Sequence, residues 1–471
     1  MKDMSYNAVM GRNNEIMKKA VGIDYEQFEY DGLGFDYEKM MEKVGYNLEE
    51  IRKIQKQTDV GSTPLYELNN LTRVARQLAP EGKGARIFLK DEASNPSGSF
   101  KARRAAVSVY HAQKNGYDGV VAATSGNYGA AVASQAVKRN LDPIIVQEVY
   151  DSRGIGQPEI IEKGRKCEAY GAEVLQLTTG PELFYTFLKV LEETDYFNAS
   201  LYTPFGIAGI ETLGYEIAEE MQKREGKHPD AVVVTNAGGG NLTGTARGLR
   251  KAGADDTEMI AASVNLEGLH MASDNDFNKK SFTTGHTGFG IPFITWPDRS
   301  DVPRSAARAI RYAERYVTVN QGEVFYITEA LAQIEGLERG PAGNTSLAAA
   351  VSIAQEMDED QILVVQETEY TGAGKHPSAQ LTFASENGID VRRGDPQKGV
   401  PGESVVIPER PGQIKAQDLD LDKLKESYIK NIINKTQTDT VNENDIDFLI
   451  KETNTDKDFV LNTLKELNVE V

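Results

Sequence analysis

From about Gly61 onward the chain alternates between two textures. Short β-branched runs (ARIFLK, GVVAAT, PIIVQEV, AEVLQL, AVVVTNA, MIAASVN and QILVVQE) are separated by amphipathic, alanine-rich stretches with helical spacing. Runs with no polar alternation have no face to offer water, so both faces of their sheets must be covered. With helices between them, the pattern predicts an α/β fold built from open, mostly parallel sheets. Upstream, residues 1–60 are charged and tyrosine-rich, with helical stretches such as YEKMMEKVG and NLEEIRKIQKQ, and read as an N-terminal extension. Downstream, GIDVRRGDPQKGVPGESVVIPERPG is dense in Gly and Pro and predicts a linker over residues 386–414. Beyond it, NDIDFLIKET and KDFVLNTLKEL predict two short helices in a small C-terminal helical tail, residues 415–471.

Composition narrows the classes. A chain of 471 residues exceeds what one compact core fills, so two or three domains are expected. No apolar run approaches about 18 residues, which predicts no membrane span. The N-terminus lacks an apolar core with a small-residue cleavage site, which predicts no secretory signal. The single cysteine, Cys167, excludes an intrachain disulfide and fits a reducing, cytoplasmic setting; within IIEKGRKCEAYGAEV it reads as a buried packing residue. The formal net charge of −19 opposes binding to nucleic acid or an anionic membrane. Five histidines without ligand spacing predict no metal site.

Four strand–loop–helix units carry the candidate chemistry. In KDEASNPSGSFKARRAA, turn residues precede a helix whose first turn holds Lys101. A helix N-terminus disfavours a cation, so this position suits a lysine that works neutral or as an imine. The alternative is a solvated lysine beside Arg103 and Arg104. In the second unit, Ser125-Gly126-Asn127-Tyr128-Gly129 follows GVVAAT; its backbone N–H groups could cradle a carboxylate, or it is an ordinary polar loop. In the third, Gly238-Gly239-Gly240-Asn241 stands between AVVVTNA and a helix, where loop and helix N–H groups can hold a phosphate. It is neither a first-unit dinucleotide fingerprint nor a P-loop, which needs GK[ST]. In the fourth, QILVVQETEYTGAGKH places the Thr371 hydroxyl at the C-terminal end of a buried strand, where α/β proteins bind ligands.

In this order, the four units resemble the fold-type II pyridoxal-phosphate enzymes, which include threonine synthase, threonine dehydratase, cysteine synthase and the tryptophan synthase β chain. The resemblance covers roughly residues 60–380. It implies two open α/β sheets with pyridoxal 5′-phosphate between them. The large cofactor-binding domain would comprise residues 61–100 and 215–385, and the small α/β domain residues 101–214. It implies that Lys101 carries the cofactor as a Schiff base and that Asn127 faces its ring oxygen. Ser125, Gly126, Asn127 and Tyr128 would receive the substrate carboxylate. Gly238, Gly239, Gly240 and Asn241 would hold the phosphate, and Thr371 would face the pyridine nitrogen.

Longer stretches, among them YNAVMGRNNEIMKKAVGIDY, TPFGIAGIETLGYE and HTGFGIPFITWPDRSDVPRSAAR, are similar to one branch of this family, the β subunits of 2-amino-4-oxopentanoate thiolases. That similarity implies thiolytic cleavage of a small amino acid, 2-amino-4-oxopentanoate, with coenzyme A as co-substrate. The products would be alanine (the D enantiomer) and acetyl-CoA, in ornithine breakdown. It also implies a homodimeric core working with a small α subunit. The alternative is a threonine synthase-like or ammonia-lyase-like elimination, which needs no thiol. Arg299, Arg304, Arg308 and Arg311 could meet coenzyme A phosphates or form surface ion pairs.

Overall fold

The computed structural model describes residues 2–124, 126–151, 153–266, 281–283, 291–299, 301–370 and 375–471. Thirteen strands are described: β1 Leu65–Glu67, β2 Arg86–Asp91, β3 Gly119–Ala123, β4 Asp142–Tyr150, β5 Glu173–Thr178, β6 Phe197–Asn198, β7 Ala231–Thr235, β8 Glu258–Val264, β9 Arg315–Val319, β10 Ile362–Glu367, β11 Asp390–Gly394, β12 Ser404–Pro408 and β13 Gln417–Asp418. Each of the seven apolar runs forms one of them, and β10 is buried along its whole length.

The larger sheet has the order β1-β2-β10-β7-β8-β9-β13. Its five central strands are parallel, and only the short edge strands β1 and β13 run antiparallel. Alanine-rich helix Pro341–Ile353 covers part of one face, packing against β7, β8, β9 and β10. The smaller sheet, β5-β4-β3-β6, is wholly parallel. Helices Asn127–Lys138, Pro158–Ala169 and Glu182–Thr194 pack on it. Cys167 is 1% exposed on the second of these, and burial pushes its thiol up to about 12.

One helix ties the two sheets together. In Pro204–Glu225, a Cβ on Gly209 would stand 2.2 Å from the Arg103 carbonyl oxygen, and one on Gly214 would stand 2.0 Å from that of Thr245. Only hydrogen fits at these crossings. The backbone of this helix therefore touches both helix Lys101–Lys114 and helix Gly240–Lys251, which fixes one relative to the other.

Arg103 locks the same junction with charge. It is fully buried, donating to both oxygens of Glu92 at 2.7 and 2.8 Å and to both of Glu216 at 3.0 and 2.7 Å. Removing one partner of a buried pair leaves the other charge uncompensated. Arg103→Met should lower the free energy of unfolding by about 3–5 kcal/mol. Urea unfolding followed by circular dichroism checks this, and a loss below about 1 kcal/mol contradicts it.

Several segments differ from their expected roles. Residues 386–414, expected as a linker, hold β11 and β12, which pair in parallel, with β12 packing on helix Gln321–Ala330. The tail contains a third helix, Leu421–Thr436, and contributes β13 to the large sheet. The extension and the tail also clasp each other. Asp445 accepts from the Leu33 N–H at 2.7 Å, and the Phe35 and Phe448 rings lie 5.7 Å apart. Gln55 of the extension donates to the carbonyls of Arg103 and Gly209 at 3.1 and 2.7 Å. Extension and tail are thus packed into the body.

Candidate active site

A cavity of about 150 Å³ opens where C-terminal strand ends of the two sheets face each other. Ala123 and Thr124 reach it from β3 in the small sheet, and Thr235 and Thr368 from β7 and β10 in the large one. Crevices at such strand ends are the usual ligand positions of α/β sheets.

Lys101 enters the cavity from the first residue of its helix. The preceding turn is unusual: Ser97 and Gly98 both have left-handed backbones, with φ of 65° and 72°. A non-glycine residue there is held by its surroundings. Here the holding bonds run to the segment after β10. Phe100 N–H donates to the Thr368 carbonyl at 3.0 Å, and Tyr370 N–H donates to that of Gly98 at 2.8 Å. Burial lowers the Lys101 ammonium pKa to about 7, helped by the nearby cations Arg104 and Lys163 and opposed by Glu369 and Glu159. The amine is then largely neutral just above pH 7, as a carbonyl-capturing nucleophile must be. Capture of an aldehyde by the ligand-free protein should accelerate about tenfold per pH unit up to about 7 and flatten above it. Stopped-flow absorbance after mixing with pyridoxal phosphate measures this, and a rise continuing to 10.5, the ordinary lysine value, contradicts it.

On the small-sheet side, Gly126, Asn127 and Tyr128 line the cavity at the start of helix Asn127–Lys138. The Tyr128 hydroxyl donates to the Ala199 carbonyl at 2.6 Å. Tyr128 therefore offers the cavity its backbone and ring, with its O–H already engaged. Ser125 and Thr371 lie outside the described residues.

Across the cavity, Gly238, Gly239, Gly240 and Asn241 line the wall at the N-terminus of helix Gly240–Lys251. Gly239 has a left-handed backbone, φ 81°. A Cβ on Gly238 would stand 1.6 Å from the Tyr202 Oη, and one on Gly240 would stand 2.2 Å from Arg104 Nη2. Asn241 Nδ2 is buried without a hydrogen-bond partner among the described residues. Bare backbone at a helix N-terminus, with a donor to spare, can hold a phosphate.

The cavity also contains residues to which the four strand–loop–helix units assign no role. Lys163 pairs with Glu159. Arg299 pairs with Asp301 at 3.0 Å and is stacked near the rings of Phe184 and Tyr202. Arg104 stands three residues beyond Lys101, one helical turn along the same face, which was a signal available in the sequence. Arg304, Arg308 and Arg311 do not line the cavity. Arg308 is 1% exposed and pairs with Asp298 and Glu452, Arg311 pairs with Glu452, and Arg304 pairs with Glu29. These pairs are largely internal, and Glu452 makes them a fastening for the C-terminal helices.

A lysine, a glycine loop at one helix N-terminus and a second helix N-terminus thus meet in one cleft, an arrangement able to take pyridoxal phosphate and an amino acid. Comparisons with known proteins agree. Residues 56–367 match the family model described as pyridoxal-phosphate-dependent enzyme. The chain is 69% identical over 466 residues to the 2-amino-4-ketopentanoate thiolase beta subunit of Acetoanaerobium sticklandii, covering 99% of each chain. It is 64% identical over 468 residues to a protein of the same name from an unknown prokaryotic organism, again covering 99% of each. Among solved structures, O-ureido-L-serine synthase superposes with a TM-score of 0.53 at 22% identity, covering 70% of this chain and 94% of that one, a likeness of fold. The chain belongs to the pyridoxal-phosphate-dependent enzymes, within the family of the 2-amino-4-ketopentanoate thiolase beta subunits.

Proposed function

We propose that this chain is the cofactor-bearing subunit of an enzyme that cleaves 2-amino-4-oxopentanoate (another name for 2-amino-4-ketopentanoate) with coenzyme A. The products are alanine, as the D enantiomer, and acetyl-CoA. The observation that carries this reading is the 69% identity to a beta subunit of that name over 99% of the chain, extension and tail included.

Bound pyridoxal phosphate would supply the electron sink for carbanion chemistry. The chain's own residues do the rest. Lys101 would hold the cofactor and would serve as the base for the proton on the substrate α-carbon, a task for which a pKa of about 7 is suited. Gly238, Gly239, Gly240 and Asn241 hold the phosphate. Asn127 would hydrogen-bond the ring oxygen, and Ser125, Gly126, Asn127 and the backbone of Tyr128 would receive the carboxylate. The family resemblance assigns Thr371 to the ring nitrogen. The thiol of coenzyme A adds to the 4-oxo carbon, the bond between carbons 3 and 4 breaks, carbon 3 takes up the proton given up by the thiol, and return of a proton to the α-carbon completes alanine. In this reading residues 61–100 with 215–385 form the cofactor-binding domain and 101–214 the small one. The enzyme is cytoplasmic, with a homodimeric core and a small α subunit, and serves ornithine breakdown.

Coenzyme A brings several negative charges to a chain of net −19, so a partner that offsets the repulsion is a physical expectation. The chain alone should exchange the α-proton of alanine with solvent deuterium, yet form acetyl-CoA only when the small subunit is added. Proton NMR and a coupled acetyl-CoA assay read the two. Full thiolysis by the chain alone refutes the partner requirement, and elimination without thiol refutes the thiolase reading.

A further inference from the structure

Arg103 and Arg104 are adjacent, both are buried, and their surroundings are opposite. Arg103 meets two carboxylates. Arg104, 2% exposed, meets none among the described residues. Among the described residues its Nε has no hydrogen-bond partner, and its one described bond runs from Nη1 to the Leu201 carbonyl at a long 3.4 Å. The rings of Phe100 and Tyr202 lie 5.4 and 5.8 Å from the guanidinium carbon and give weak compensation. Burial accordingly lowers the pKa of this guanidinium, with only the Tyr202 and Tyr128 hydroxyls acting the other way. A buried cation in this state is destabilising until an anion reaches it.

Its position says which anion. Arg104 lines the cavity, and its Nη2 lies 2.2 Å from where a Cβ on Gly240 would be, with its guanidinium carbon at 2.9 Å from the same point. The guanidinium therefore rests against the first residue of helix Gly240–Lys251, at the mouth of the glycine loop. Free N–H groups, the positive end of the helix and a planar cation converge on one spot. We propose that Arg104 is the counter-ion of the cofactor phosphate, completing with its side chain a cradle that the glycine loop builds from backbone. This rests on the reading that residues 238–241 hold that phosphate. An anion there would also offset the charge that Arg104 directs at Lys101, one turn earlier on the same face.

The test compares ligand-free wild type, Arg104→Met and Arg104→Lys, each titrated with pyridoxal phosphate and with pyridoxal, which lacks the phosphate. Thermal midpoints of the ligand-free proteins are measured alongside. Arg104→Met should weaken pyridoxal phosphate by roughly 10²-fold or more while leaving pyridoxal little changed. Arg104→Lys, which keeps the charge and loses the fork, should fall between. The ligand-free Met variant should melt no lower than wild type, because an unpaired buried charge has been removed. A merely structural arginine would instead lower the ligand-free midpoint, or weaken both ligands equally, and either result overturns the proposal. Unchanged pyridoxal phosphate affinity with weakened alanine binding also overturns it, assigning Arg104 to the substrate carboxylate. If wild type itself binds pyridoxal phosphate no better than pyridoxal, the phosphate-loop reading fails first.

Discussion

Lys101→Ala should lower turnover by about 10⁴-fold or more, the range expected when a nucleophile that also serves as general base is lost. The variant should bind pyridoxal phosphate only reversibly, so that gel filtration strips it, whereas wild type retains it. Borohydride reduction and peptide mapping should label Lys101 in wild type; a label on another lysine defeats the assignment. The fold should survive, because the Lys101 ammonium is disfavoured where it stands and its pKa is lowered mainly by burial. An added small amine should restore part of the proton transfer in the variant. Such rescue separates lost chemistry from lost structure.

Gly239→Val should raise the dissociation constant for pyridoxal phosphate by about 10²-fold or more. The position has φ 81°, where a β-branched side chain is strained, and the new Cβ would stand 3.0 Å from the Ala309 Cβ. The loop cannot yield easily on either side. Tyr202 Oη already occupies the Cβ direction of Gly238, and Arg104 that of Gly240. Displacing the loop would turn its N–H groups away from the phosphate. Gly253→Ala is the control. Gly253 has φ 77° just past the far end of the same helix, with open space around its Cβ direction. That variant should lose about 1–2 kcal/mol of stability through backbone strain alone and keep its cofactor affinity. Equal affinity in Gly239→Val and wild type, by fluorescence titration, would remove the glycine loop from the site.

Local signals were legible where the physics is local. The apolar runs became strands because an unbroken β-branched run can only be satisfied between two covered faces. NPSGSF followed by alanines at helical spacing placed Lys101 in the first turn of a helix, and three glycines between a strand and a helix marked a loop at a helix N-terminus. Other segments were misread because their partners lie far away in the chain. The Gly- and Pro-rich stretch after 386 has linker composition, yet Val391 and Val405 pair across two strands once helix Gln321–Ala330 is there to receive them. Helix Leu421–Thr436 was missed although Asp420 caps it, accepting from Lys423 N–H at 3.2 Å.

Arg103 and Arg104 mark the boundary most clearly. The sequence by itself determined that two cations follow Lys101 on a helix, at successive positions that face different ways. Only the tertiary structure decided that one meets Glu92 and Glu216 while the other meets a glycine loop more than 130 residues downstream. The same holds for the extension and the tail, where Asp445 and Leu33 find each other across 412 residues. Secondary structure follows from spacing along the chain, whereas the partner of a buried charge follows from which backbones approach closely enough to exclude water, and that is settled by the packing of the whole molecule.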